Sequence, residues 1–160
     1  MKLVRKLALM ALIGWMGSAI AAEVGVTDTS ITLGMSSPFS GPNGAYGQDM
    51  KNVITAYIDQ INKSGGINGR KIDLIALDDG YETDRTVANS KKLIDESKVF
   101  ALLQYYGSSP TTQAMNDVFG PAKVPLVGTI SGAGTIRQSP KENPNNRYMF
   151  NVRASYADET

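Results

Sequence analysis

The sequence predicts an α/β fold built on a doubly wound parallel sheet, and three observations predict it. Apolar runs of strand length alternate with segments of helical period, and the links between them are short and rich in Gly, Ser, Pro and Asn. One run, KIDLIALDD, has the nearly continuous apolar centre of a strand covered on both faces.

The first strand begins at Ile31, Leu33 and Met35, whose alternation is that of a half-buried strand, and the stretch SSPFSGPNGAYG follows it. From Tyr46 the apolar residues fall at Met50, Val53, Ile54, Tyr57, Ile58 and Ile61, a 3.6-residue period that predicts an amphipathic helix packed on the sheet. Ser64-Gly65-Gly66 stops it, since glycine takes the left-handed C-terminal conformation without a Cβ penalty, and Asn68-Gly69 adds a turn. KIDLIALDD is the second strand. A helix over 83–97 follows, with Val87, Leu93 and Ile94 inward. The third strand spans 99–106, and Gly107-Ser108-Ser109-Pro110 turns into a helix that Ser109 is expected to cap, with Pro110 at its first position. Gly120-Pro121 ends that helix. A fourth strand covers 124–128, a polar loop covers 131–147, and YMFNVR is a fifth apolar run.

Ahead of all this, residues 1–22 place Lys2, Arg5 and Lys6 before an apolar run that ends in small residues, which is the layout of a secretory signal peptide. The uninterrupted run is short of the ~20 residues a membrane span needs. Cleavage after Ala21 or after Ala22 fits equally. Without residues 1–22, 13 basic residues face 15 acidic ones, a net charge of −2, so nothing points to nucleic acid or a membrane surface. An exported chain without cysteine must be stabilised by burial rather than by disulfides. Without His or Cys it also lacks the commonest base near neutral pH, the thiolate nucleophile and the usual zinc ligands. Any enzymatic chemistry would rest on carboxylates, Lys, Tyr or hydroxyls. No cofactor is expected.

In a doubly wound sheet, ligands sit beyond the carboxyl ends of the strands where strand order reverses. SSPFSGPNGAYG, YYGSSPTTQ and GTISGAGT meet that description, and all three are rich in glycine and hydroxyls and poor in charge. Gly41, Gly44 and Gly47 are spaced G-x-x-G-x-x-G, which is neither the dinucleotide fingerprint nor the P-loop, so the loop either connects or touches a ligand that is not a nucleotide. Asp78 and Asp79, near Glu82 and Asp84, read either as a divalent-ion site or as acids favoured before a helix N-terminus. Arg137, Lys141 and Arg147 read as a solvated surface. Ser109 either caps its helix alone or also offers its O–H to a small carboxylate beside the free N–H groups of the first turn.

Residues 28–160 resemble the N-terminal portion of a type I periplasmic solute-binding protein of the leucine/isoleucine/valine-binding family, which serves branched-chain amino acid ABC transporters. The resemblance is carried by the tandem of the S-G-P-x-x-x-x-G loop, INKSGGINGR and LDD, and by YYGSSPTTQAM followed by KVPLVGTISGA. It implies a Rossmann-like lobe at 23–155, the start of a hinge crossing at 156–160, and a second lobe missing from this chain, which stops at RASYADET as a fragment or truncated product would. It further implies a periplasmic substrate-binding component, not an enzyme, whose partners are an amino acid or other small carboxylate and a membrane permease. Ligand-binding positions carried over from the family are Tyr46, Ser109, Ile130, Ser131 and Gly132. Gly132 stands where the amino-acid binders have threonine, and Tyr105 and Tyr106 add aromatic surface before the hydroxyl loop, so an aromatic carboxylate is also a substrate class. A receptor's ligand-sensing domain of the same fold, or a Rossmann-like enzyme, are the alternatives.

Overall fold

The computed structural model describes residues 23–159. The expected signal peptide at 1–22 lies outside the described residues. Strand β1 (Ser30–Ser37) leads to helix α1 (Gly44–Lys63), strand β2 (Lys71–Asp78) and helix α2 (Thr83–Lys91), which runs on through a wider π-type turn (Lys92–Glu96). Then come β3 (Ala101–Leu103), helix α3 (Ser108–Ala114) with its own π-type extension (Met115–Phe119), β4 (Leu126–Val127) and β5 (Met149–Phe150). The five strands form one sheet in the order β2-β1-β3-β4-β5, and every pairing is parallel. This is the doubly wound sheet that the sequence predicts.

Register decides which residues meet which layer. Leu33 pairs with Leu74 and Met35 with Ala76, and this set faces α1, whose Ile58 lies over Ile72 and Leu74. The alternate set, Gly34 with Ile75 and Ser36 with Leu77, faces α2. There the main core forms from Leu93, Leu102, Tyr105, Met115, Phe119 and Leu126, all fully buried. Each such aliphatic side chain contributes about 1.5–3 kcal/mol by leaving water.

Helix α1 departs from its expected face. Val53 and Tyr57 point to solvent, and the buried seam is Gly44, Gly47 and Ile58. The loop at 38–43 explains why: it passes so close beneath the helix that a Cβ at Gly47 would collide with the Pro38 carbonyl, so the first two turns rest on glycine. The 3.6-residue period held, but the helix is rolled toward its glycine edge.

Strands β3, β4 and β5 are shorter than the apolar runs that contain them. Gln104 has φ 53° and Gly128 φ 81°, left-handed backbone that ends a ladder. Beyond these breaks the chains still run side by side, with Ile130 N–H donating to Tyr105 O at 2.9 Å and Gly107 N–H to Ile130 O at 3.2 Å. That continuation brings 105–108 and 130–132 together.

Candidate functional site

Strand order reverses beside β1, which has β2, the next strand in the chain, on one side and β3, which follows β2, on the other, and a cleft of about 220 Å³ opens beyond the carboxyl ends there. Tyr46 from the first turn of α1, Tyr81 from the loop after β2, Tyr106 and Ser108 from the β3–α3 connection, and Arg153 and Tyr156 from the segment after β5 line it, with Gly107 and Ile130.

Asp78 and Asp79 hold two of its walls. Asp78 Oδ1 accepts the N–H of Phe39 at 2.7 Å and of Gly80 at 2.9 Å, while Oδ2 accepts Ser40 Oγ at 2.6 Å and Arg85 Nη2 at 3.1 Å. Burial pushes this carboxyl up, but the bonds from Ser40, Phe39, Gly80 and Arg85 outweigh it and hold the group well below the usual carboxylate range. Asp79, buried, accepts Ser36 Oγ at 2.8 Å and Tyr81 N–H at 2.9 Å, and its burial pushes it up. The pair thus ties SSPFSGPNGAYG to the end of β2 and aims Tyr81, whose φ of 70° puts a bulky side chain in left-handed backbone. Both acids are thus engaged in hydrogen bonds that hold the loops around the cleft.

Helix α3 begins two residues earlier than expected. Its N-cap is Gly107, at φ 95° and ψ 157°, and Ser108 is the first helical residue, so Ser109 does not cap the helix and Pro110 stands third rather than first. Pro is tolerated throughout that first turn, where its missing N–H has no intrahelical acceptor in any case, so its place could not fix the start. The extended glycine did. Ser108 therefore lines the cleft and also borders a neighbouring depression, in which Ser109 is exposed with Thr83, Thr112 and Thr135.

The loop after β4 supplies the other half. Ser131 is fully buried beside the cleft, its Oγ 2.9 Å from Ser108 Oγ and accepting the Ala133 N–H at 3.1 Å. The Gly132 carbonyl accepts the Tyr156 N–H at 2.9 Å, and the Tyr156 ring lies so close over Gly132 that a Cβ there would collide with it. Hydrogen bonding from the Gly132 backbone first, then from Ser108 and Ser131, pulls the Tyr156 hydroxyl below the ordinary tyrosine range. Tyr106 is pushed the other way, by burial first and then by the rings of Tyr46, Tyr81 and Tyr156 around it.

Of the five positions expected to bind ligand, Tyr46 and Ile130 line the cleft, Ser131 and Gly132 lie buried behind it, bonded to the lining residues Ser108 and Tyr156, and Ser109 lies apart. Tyr105 is core, edge-on to Phe119 at 6.1 Å with its hydroxyl 2.8 Å from Ser90 Oγ, whereas Tyr106 faces the cleft. Gly107, Ser108, Tyr81, Arg153 and Tyr156 were not foreseen. The glycine immediately before Ser108 was the one local signal. Nothing local distinguishes Arg153 or Tyr156, which reach the site only because the chain folds back after β5.

Residues 30–160 match the family model described as "Periplasmic binding protein". The "Leucine-, isoleucine-, valine-, threonine-, and alanine-binding protein" of Pseudomonas aeruginosa is 29% identical over 118 residues, covering 74% of this chain and 30% of the relative. Among solved structures, a substrate-binding periplasmic protein from Ralstonia solanacearum superposes with a TM-score of 0.73 at 31% identity, covering 81% of this chain and 35% of that one. A branched-chain amino acid transporter substrate-binding protein from Streptococcus pneumoniae, in complex with isoleucine, gives 0.69 at 26% identity, covering 79% and 34%. The chain spans about 28–30% of the length of the first curated relatives it matches.

Proposed function

Because this chain belongs to the periplasmic binding protein family, which its residues 30–160 match, we propose that it is the N-terminal lobe of the substrate-binding component of an ABC importer. It holds an amino acid or related small carboxylate non-covalently, and a second lobe closes over the ligand. Residues 1–22 direct export to the periplasm, 23–155 form the lobe, and 156–160 begin the crossing. The membrane partner is a permease.

One observation carries the reading: the Ser108 and Ser131 hydroxyls meet at 2.9 Å where the first turn of α3 joins the loop after β4, with Ser108 lining the cleft. Neutral donors gathered at one point are a means by which a carboxylate is held without a buried counter-charge. The first turn of α3, with its unpaired N–H groups and positive dipole end, adds to the field at Ser108. The site works by binding rather than turnover, in keeping with the family to which the chain belongs. The relatives named for branched-chain amino acids support the ligand class.

Calorimetric titration of the full-length protein with amino acids and short carboxylates tests this. Ser108→Ala removes one charge-assisted donor and weakens binding by roughly 1.5–3 kcal/mol, whereas Ser109→Ala changes it little. The reverse ranking would return the carboxylate seat to Ser109, and no binding of any carboxylate would refute the reading.

A further inference from the structure

Strand β2 lies at one end of the sheet order and is eight residues long, an open edge of the kind that natural sheets either blunt or pair. The Lys71 N–H donates to Thr29 O at 2.8 Å and the Asp79 N–H to Ser37 O at 3.1 Å, so the odd-numbered residues turn their backbone groups toward β1. Ile72, Leu74, Ala76 and Asp78 turn theirs outward. Side chains occupy the two ends of this edge. Asn62, from the last turn of α1, accepts the Ile72 N–H at 2.8 Å and donates to the Ile72 carbonyl at 2.9 Å, as a neighbouring strand would. The Asp78 carbonyl accepts Asn89 Nδ2 at 3.1 Å and Arg85 Nη2 at 3.0 Å. Between these clamps, the outward N–H and C=O groups of Leu74 and Ala76 meet no partner among the described residues.

The open stretch is symmetric about Ile75. A second copy of the same edge, turned antiparallel about an axis at Ile75, sets Leu74 of each chain against Ala76 of the other, and each such pair exchanges both of its N–H···O bonds. A slip of two residues would bring a clamped residue into the ladder, so the clamps fix the register.

Helix α1 repeats the symmetry. A groove of about 400 Å³ runs between α1 and β2, and Lys51, Thr55 and Asp59 line its helical wall about one turn apart. Asn62 stands at Ile72, and the strand from Ile72 to Ile75 covers about 10 Å, the rise of about seven helical residues, so Thr55 lies abreast of Ile75. The same axis therefore passes Thr55 and sets Lys51 of each copy opposite Asp59 of the other. Lys51 is steadied at its end of the groove by the Phe39 ring, with Nζ 4.6 Å from the centroid. Asp73, the remaining charge on the groove, comes opposite Leu77 and meets no like charge.

We propose that the α1–β2 edge is a docking surface for a second copy of this chain, joined by antiparallel β2 pairing into one continuous sheet with the two α1 helices side by side. The backbone bonds at Leu74 and Ala76 hold the copies, and the Lys51–Asp59 pairs select their orientation. Such a two-fold interface is self-complementary and closes at the dimer.

Sedimentation velocity of the full-length protein over a range of concentrations tests this. The wild type should dimerise reversibly, and more weakly as salt rises. Lys51→Asp and Asp59→Lys should each weaken the dimer at least about tenfold, because each sets like charges opposite one another on both sides of the axis. An equimolar mixture of the two variants should restore dimerisation, since every facing pair is then opposite in sign. Ala76→Pro should abolish the dimer while sparing the ladder to β1, because the N–H it removes points outward. If that variant fails to fold, the charge exchange on the surface still decides. A wild type that stays monomeric at every concentration overturns the proposal and leaves the edge to some other extended chain. A dimer that neither single charge variant weakens, or a mixture no stronger than its components, overturns it as well.

Discussion

Replacing Asp78 with Asn should loosen the whole site from a position outside the cleft. The substitution keeps a neutral oxygen for the Phe39 and Gly80 amides but turns an NH2 group toward Ser40 Oγ and Arg85 Nη2, which now donate to Oδ2 at 2.6 and 3.1 Å. Lost charge assistance on two amide bonds costs about 1 kcal/mol, and the lost serine bond about another. The arginine pair adds little, because its side chains are 51% and 31% exposed. The expected destabilisation is about 2 kcal/mol at pH 7. The pH dependence follows from the depressed carboxyl. Its contribution is fully present above the ordinary value of 3.8 and is lost as pH falls below that toward the folded value. Urea unfolding followed by circular dichroism at pH 7, 4, 3 and 2.5 should therefore show a gap between wild type and variant that is constant above about pH 4 and narrows below it. A gap under about 0.5 kcal/mol at pH 7, or one that persists undiminished to pH 2.5, would refute the role assigned to this carboxylate.

Gly47→Ala drives a methyl group into the Pro38 carbonyl and should cost at least about 2 kcal/mol in urea unfolding, against the gain that Ala ordinarily brings to a helix. An unchanged midpoint would mean that α1 lifts freely off the loop. Comparison of Ser108→Ala with Ser109→Ala, as above, locates the carboxylate seat.

The sequence by itself determined the layers and their order, because those depend on short-range physics. Period-two and period-3.6 apolar runs, Gly65 and Gly66 after α1, and the continuous run at 71–78 each act within a few residues of themselves, and the parallel sheet followed from their alternation. It also pointed to the carboxyl ends of the strands, where a cleft opens, although the neutral, hydroxyl-rich character it led one to expect is altered there by Arg153. What only the tertiary structure decided was which side chains meet. The choice of Ser108 over Ser109 hung on the φ of Gly107, and the roll of α1 on the approach of Pro38 to Gly47. The arrival of Arg153 and Tyr156 over Gly132 depended on a chain return from β5, 20 and more residues away, whose driving contacts have no periodic signature in either segment. Local pattern reports what a residue prefers for its own backbone, whereas a binding site is assembled from loops whose meeting is set by sheet order and register.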